Sequence, residues 1–89
     1  MRLSPPPEEV RELVIRCFEE LGVSGFGTSA IKETILIDDG RYVARSYRTR
    51  GYMAMWLIAA GLVQFYDEDG AMLRTINLLR ELEPQRMAA

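Results

Sequence analysis

Apolar residues near the start of the chain recur with the period of an α-helix. Positions i, i+3, i+4, i+7, i+8 and i+11 of one stretch are occupied by Val10, Leu13, Val14, Cys17, Phe18 and Leu21. Prolines followed by Glu8 and Glu9 suit a helix start, and Gly22 suits its end. We therefore predict an amphipathic helix at about 7–21, with Cys17 as a buried structural thiol on its apolar face.

The pattern changes after this helix. Three glycines fall at positions 22, 25 and 27, so we predict a flexible linker over 22–32. Further along, runs typical of strands are separated by short turns rich in Asp and Gly. The predicted strands lie at 33–37, 41–49, 52–58, 62–66 and 72–78, and the last is either a strand or a strand that passes into a short helix. We expect a three-residue hairpin loop at 38–40, with Gly40 in the left-handed conformation, and a frayed tail at 83–89.

These elements define one domain of 89 residues. Short turns between successive strands favour antiparallel neighbours. The predicted class is α+β, with an N-terminal amphipathic helix packed on a four- to five-stranded antiparallel β-meander, and the pattern leaves open whether the sheet is flat or curled.

The third strand carries more apolar side chains than one covered face needs. Met53, Met55 and Leu57 alternate with a second apolar set, which consists of Tyr52, Ala54, Trp56 and Ile58. A half-solvated sheet alternates apolar and polar residues, so we expect both faces to be covered. A curled sheet, the segment 78–82 or a second copy would each provide the cover. Trp56 is the expected packing anchor, and the pattern leaves open which face meets the helix.

Charge is unevenly distributed along a chain whose net charge is −2. Residues 41–66 contain four arginines, no lysine and no acid, so they carry +4 and the remainder carries −6. Tyrosines lie between these arginines. The candidate interaction surface drawn from this segment consists of Arg41, Arg45, Tyr47, Arg48, Arg50, Tyr52, Met53, Met55 and Leu57.

Arginine beside tyrosine is one pattern of nucleic-acid binding, since arginine neutralises phosphates and tyrosine stacks on bases. Strict strand alternation would divide the charges, however. It puts Arg41, Arg45, Tyr47 and Thr49 on one face and Tyr42, Ser46, Arg48 and Arg50 on the other. The favoured interpretation is a solvated strand whose arginine stems cover aromatic rings and pair with acids of the helix.

The residue types that the chain lacks limit its chemistry. It has no histidine and one cysteine, which excludes Ser-His and Cys-His pairs, His-ligated and thiolate zinc sites, and CxxC redox chemistry within one chain. It also has just one lysine. The acidic turns at 38–39 and 67–69 lack calcium-loop spacing. We predict no catalytic residue, no cofactor and no metal site. A small-ligand carrier would need a pocket lined by Phe18, Trp56 and Phe65.

The chain has no apolar stretch of membrane-spanning length, since the best candidate, residues 51–63, is too short. Its first residues lack the apolar core of a signal peptide. We therefore expect a cytoplasmic protein that does not enter a membrane.

Part of the strand pattern resembles a known group of proteins. The residues concerned are Glu33, Thr34, Leu36, Ile37, Asp39, Gly40 and Tyr42, then Ala54 and Trp56, then Phe65, Tyr66, Asp67 and Gly70. Over residues 33–76 the chain is similar to short uncharacterised bacterial proteins of planctomycetes, although Arg41 replaces the first tyrosine of their pattern. The resemblance implies a helix-plus-meander domain and transfers no functional residue.

The sequence thus predicts a small non-enzymatic interaction or structural domain. Self-association through the β-sheet, as a homodimer, is the favoured partner hypothesis, with another protein as the next. The alternative is a nucleic-acid-binding module that uses the Arg/Tyr strand 41–52.

Overall fold

A computed structural model describes residues 5–23 and 31–81 of the chain. One helix and five strands are present in these ranges: α1 (Pro7–Glu20), β1 (Lys32–Asp38), β2 (Arg41–Thr49), β3 (Tyr52–Leu57), β4 (Leu62–Tyr66) and β5 (Met72–Asn77). Most of the predicted linker, at 24–30, and the predicted tail at 83–89 lie outside the described residues.

Helix α1 forms where the apolar period predicts it. Pro6 is extended before the first turn, and Glu8 and Glu9 lie at the positive end of the helix dipole. The helix ends at Glu20, where Gly22 adopts φ 92° and its N–H bonds to the Glu19 carbonyl at 3.1 Å. Its buried residues are Val10, Leu13, Val14, Cys17 and Phe18, as predicted.

The five strands form one sheet in the order β1-β2-β3-β4-β5, and each strand is antiparallel to its neighbours. The sheet is open rather than closed into a barrel. The predicted α+β class and the meander are therefore confirmed.

Two hairpins use tight two-residue turns. Asp39 and Gly40 have φ 54° and 75°, while Arg50 and Gly51 have φ 50° and 84°. Both central residues thus take positive φ, as in type I′ turns, whose twist matches that of the strands. The prediction of a three-residue loop at 38–40 is wrong, because Asp38 pairs directly with Arg41 across the ladder.

The β4–β5 turn and the end of β5 are fixed by side-chain oxygens. Asp67 Oδ1 accepts hydrogen bonds from the N–H groups of Asp69 and Ala71, both at 2.9 Å. Asn77 Oδ1 accepts from the N–H groups of Leu79 and Arg80, which caps a helical turn at 78–81. The expectation of a strand that passes into a short helix is correct.

A β-bulge changes the alternation in β2. Leu36 pairs with Ala44 and Ile37 pairs with Tyr42, so Val43 is the extra residue. Tyr42 consequently lies on the same face as Arg45 and Trp56, with its ring centroid 6.4 Å from that of Trp56. The prediction that placed Tyr42 on the opposite face from Arg45 is wrong for this reason.

The core lies between α1 and one face of the sheet. The sheet contributes Tyr47, Ala54, Trp56, Val63 and Phe65, and Trp56 is almost fully buried, as expected. The face that meets the helix is therefore the one formed by Ala54 and Trp56. Leu78 joins this same core, so at this residue the C-terminal segment packs on the helix side and not on the other face.

Candidate interaction face

The side of the sheet away from α1 forms the candidate site, which we call the open face. Strand register arranges its side chains in three rows of five, with one residue from each strand. The first row holds Lys32, Arg48, Met53, Tyr66 and Met72. The second row holds Thr34, Ser46, Met55, Gln64 and Thr75. The third row holds Leu36, Ala44, Leu57, Leu62 and Asn77.

The centre of the open face is apolar. Met53, Met55 and Leu57 run along β3, with Leu62 and Tyr66 beside them on β4, and all five are half-buried by their neighbours. Polar and basic residues surround this centre, and none of the fifteen positions is a carboxylate.

No described residue lies over this apolar centre as a third layer. The molecule measures 37 × 36 × 24 Å along its principal axes. A sheet packs at about 10 Å from its neighbouring layer, and a helix with its side chains is about 10–12 Å across. The shortest dimension, 24 Å, is therefore the thickness of one sheet packed on one helix and leaves no room for a third layer.

The open face is uneven across its width. On β2 the side chains of Ala44 and Ser46 are small and buried, although they lie on this face. On β4 the corresponding positions hold the larger Leu62 and Gln64, followed by Tyr66. We call the line of Ala44 and Ser46 the furrow, and the line of Leu62, Gln64 and Tyr66 the ridge.

The ridge is held in place by a hydrogen bond within it. The Tyr66 hydroxyl donates to Gln64 Oε1 at 2.9 Å. This bond leaves both N–H groups of the Gln64 amide for another acceptor. The ridge therefore presents an ordered aromatic ring and an ordered amide donor.

The predicted candidate surface is divided between the two sides of the sheet. Arg48, Met53, Met55 and Leu57 lie on the open face, whereas Arg45, Tyr47 and Tyr52 lie on the helix side. Arg50 lies in the β2–β3 turn, and exposed Arg41 begins β2 next to the first turn. The structure does not bring these nine residues together as one surface.

Sequence reasoning missed the furrow and the ridge. Ala44, Ser46 and Gln64 are small or polar, so no composition signal marks them. The signal that would have found them is register, because a short turn fixes which residues of two strands are neighbours.

Arg45 belongs to an ion-pair network at the junction of helix and sheet. Its Nη1 donates to Glu33 Oε2 at 2.7 Å, and Arg11 of the helix donates to Glu33 Oε1. The guanidinium carbon of Arg45 lies 5.7 Å from the centroid of the Tyr42 ring. The arginine does cover an aromatic ring, as expected, but its acid comes from β1 rather than from the helix.

Tyr47 lies beside this network and is fully buried. Burial raises the pKa of its hydroxyl, and the negative charge of Glu33 adds to the effect. Within the described ranges, neither the Tyr47 hydroxyl nor Arg45 Nε has a hydrogen-bond partner, and the same holds for Thr49 Oγ1. Burying these three polar atoms without a hydrogen bond costs free energy, so they lower the stability of the fold rather than add to it.

A cleft of about 640 Å³ lies where the β2–β3 and β4–β5 turns meet. Arg48 and Arg50 line it together with Asp67 and Glu68, so both signs of charge face it. The residues expected to line a carrier pocket lie elsewhere, since Phe18, Trp56 and Phe65 are all packed in the core. Arg48, Met53 and Tyr66 of the first row also line the cleft, so the cleft borders the open face.

Two further findings concern possible sites in the described ranges. No group of three or more His, Cys, Asp or Glu residues there could hold a metal ion. Among the helices that the structure describes, none has the length and apolar character that crossing a membrane requires.

Residues 5–23 and 31–81 form a two-layer α+β domain in which no third layer covers the open face. Comparison of the chain with protein-family models, curated proteins and solved structures finds no match in any of the three. The resemblance to planctomycete proteins therefore stays a prediction.

Proposed function

We propose that this protein is a non-enzymatic interaction domain that self-associates through its open face. The observation that supports this most strongly is the continuous apolar centre formed by Met53, Met55, Leu57, Leu62 and Tyr66. These side chains are half-buried by one another and keep part of their surface in solvent. A contiguous apolar patch of this kind with a polar rim marks an interaction site. A second copy covering it would build a four-layer arrangement, helix–sheet–sheet–helix.

The size of the open face suits a small homodimer. Five strands spaced at about 4.8 Å give a surface about 20 Å wide. Together with the residues around it, a surface of this width would bury an area at the lower end of the range for stable interfaces, in which each partner buries about 800 Å². We therefore expect a dimer that dissociates on dilution rather than an obligate one.

The arrangement of arginines favours self-association over nucleic-acid binding. Arg45 is paired with Glu33 on the helix side, while Arg48 lies on the open face. A phosphate backbone needs cations along one line of the surface. Lys32 and Arg48 are neighbours on the open face. The cleft beside Arg48 is also lined by Asp67 and Glu68, which repel phosphate. The alternative proposed from the Arg/Tyr strand is thus the weaker one.

We place the protein in the cytoplasm as part of the same proposal. Its single cysteine is a free thiol inside the core, so the fold derives no stability from an oxidising compartment.

Light scattering on a size-exclusion column, across a concentration series, tests self-association. We expect the wild type to shift from monomer to dimer with concentration and Met55→Glu to stay monomeric, because a charge would be buried at the centre of the interface. Ile37→Glu is the matched control, since Ile37 is 66% exposed and lies on the helix side at the edge of the sheet. A wild type that stays monomeric at every concentration overturns the proposal.

A further inference from the structure

We propose that two copies pack open face to open face about a two-fold axis parallel to β3, so that the furrow of each copy receives the ridge of the other. This inference rests on the proposed self-association and specifies its geometry.

The symmetry of a homodimer limits the possible arrangements. When two identical faces meet, the two-fold axis lies in the plane between them. Packed sheets are nearly aligned or nearly orthogonal. Two aligned arrangements are possible. With the axis along β3, β2 of one copy lies opposite β4 of the other, and each row lies opposite the same row of the partner. With the axis across the strands, each strand lies opposite the same strand of the partner, and the first row lies opposite the partner's third row.

The unevenness of the face distinguishes these two arrangements. With the axis across the strands, ridge would meet ridge and furrow would meet furrow, which leaves a gap along β2 and crowding along β4. With the axis along β3, Ala44 faces the partner's Leu62 and Ser46 faces the partner's Gln64. A large side chain then meets a small one at both positions, which is how interfaces reach interior packing density.

The axis along β3 also places polar groups of the two copies opposite groups that they can bind. Since the Gln64 carbonyl oxygen accepts from Tyr66, the amide N–H groups of Gln64 are left to donate to the partner's Ser46 hydroxyl. Arg48 faces the partner's Tyr66, whose ring can receive its guanidinium in a cation–π contact. The angle of about 30° between packed sheets shifts this outer row by about 3 Å, a distance that the arginine side chain spans.

Charge complementarity points the same way. Lys32 and Arg48 are direct cross-strand neighbours on the open face, and like charges in this position repel. The acidic β4–β5 turn at 67–70 follows Tyr66 at the same end of the sheet. The axis along β3 brings the basic corner of each copy over the acidic turn of the other, whereas the axis across the strands brings it over Leu36 and Ala44.

Cross-linking with a short bifunctional thiol reagent separates the two axes. The second row faces itself under either axis, and its two exposed end positions, Thr34 on β1 and Thr75 on β5, are informative as Thr34→Cys and Thr75→Cys. A linker is needed because facing backbones lie about 10 Å apart, beyond the reach of a disulfide. We expect a mixture of Thr34→Cys and Thr75→Cys chains to cross-link as heterodimers and Thr34→Cys alone to cross-link poorly, because the axis along β3 places the two copies of Thr34 at opposite edges of the interface. The parent chain, whose Cys17 is buried, is the control.

Size exchange gives an independent test with variants that need no reagent. Ala44→Leu alone and Leu62→Ala alone should each dimerise about tenfold more weakly than the wild type, because each creates two mismatched contacts. Their mixture should form heterodimers at close to wild-type affinity, because every contact is again large against small. A mixture of Ala44→Leu and Leu57→Ala should not recover wild-type affinity, because Leu57 lies on the axis opposite the partner's Leu57 and not opposite residue 44. Circular dichroism verifies that each variant is folded.

The outcomes distinguish the inference from the proposal on which it rests. A monomeric wild type overturns both. A dimer in which Thr34→Cys cross-links with itself, and in which Ala44→Leu is not rescued by Leu62→Ala, overturns the axis along β3 and leaves self-association standing.

Discussion

The ring of Phe18 on the helix meets the ring of Phe65 on β4 edge to face, with centroids 5.4 Å apart and planes at 90°. Both side chains are fully buried. The edge of one ring carries partial positive charge and the face of the other partial negative charge, so this geometry is favourable beyond the area it buries. The contact joins the N-terminal helix to a strand more than forty residues later.

This ring pair should show energetic coupling. Phe18→Leu and Phe65→Leu each remove the edge-to-face contact while they keep the site apolar, so the double variant should be more stable than additivity predicts by about 1 kcal/mol. Urea unfolding of the four proteins measures this coupling. Strictly additive losses would show that the rings contribute only through buried area.

Removing the Tyr47 hydroxyl should cost almost nothing. The hydroxyl is buried and has no partner among the described residues, so Tyr47→Phe should change the free energy of unfolding by less than about 1 kcal/mol, with either sign. Glu33→Gln is the contrasting variant, because it removes the charge of the carboxylate that Arg11 and Arg45 share. We expect it to cost about 1–3 kcal/mol. Equal losses in the two variants would contradict this interpretation.

Alkaline pH should weaken the fold through the same tyrosine. The folded-state pKa of Tyr47 is raised by burial and then by Glu33, while an unfolded tyrosine ionises at about pH 10. The neutral Tyr47 side chain therefore makes its full contribution to the free energy of unfolding below about pH 10. This contribution is lost as pH rises further, by up to about 1.4 kcal/mol per pH unit. Unfolding at a series of pH values, with Tyr47→Phe as control, measures this loss. An unchanged slope in the variant would argue against Tyr47 as its source.

Cys17 should react with thiol reagents only when the helix separates from the sheet. The residue is buried, and this burial raises the pKa of its thiol, which lowers the fraction of reactive thiolate. We expect labelling of the native protein to be slower than labelling in urea by at least about a hundredfold. Core-loosening Phe18→Leu should accelerate native labelling. Fast labelling of the wild type would show that the helix opens readily.

The elements were predictable because local patterns determine them. The helical period of Val10 to Phe18 and the Asp-Gly and Arg-Gly pairs at the turns place α1 and the strands within one or two residues. The face that meets the helix was not predictable, because both sides of β3 are apolar. Tyr42 was placed on the wrong side because a bulge at Val43 interrupts alternation, and bulges leave little trace in a single sequence.

The candidate site was predicted only in part. Met53, Met55 and Leu57 do share an open surface with Arg48, but Tyr47 proved to be a core residue and Arg45 belongs to an ion-pair network. Aromatic and arginine residues look alike in sequence whether they bind a partner or seal a core. Only the pairing of strands separates the two roles.

The strand order β1-β2-β3-β4-β5 also has a kinetic consequence. Every strand pairs with the strand next to it in the chain, so each hairpin can form with little loss of loop entropy. The contacts that span the chain are those of the helix with β4 and β5, such as Phe18 with Phe65 and Glu20 with Arg74. Folding should thus be fast, and its slowest step should be the docking of α1 onto β4 and β5, the strands that lie farthest from it along the sequence.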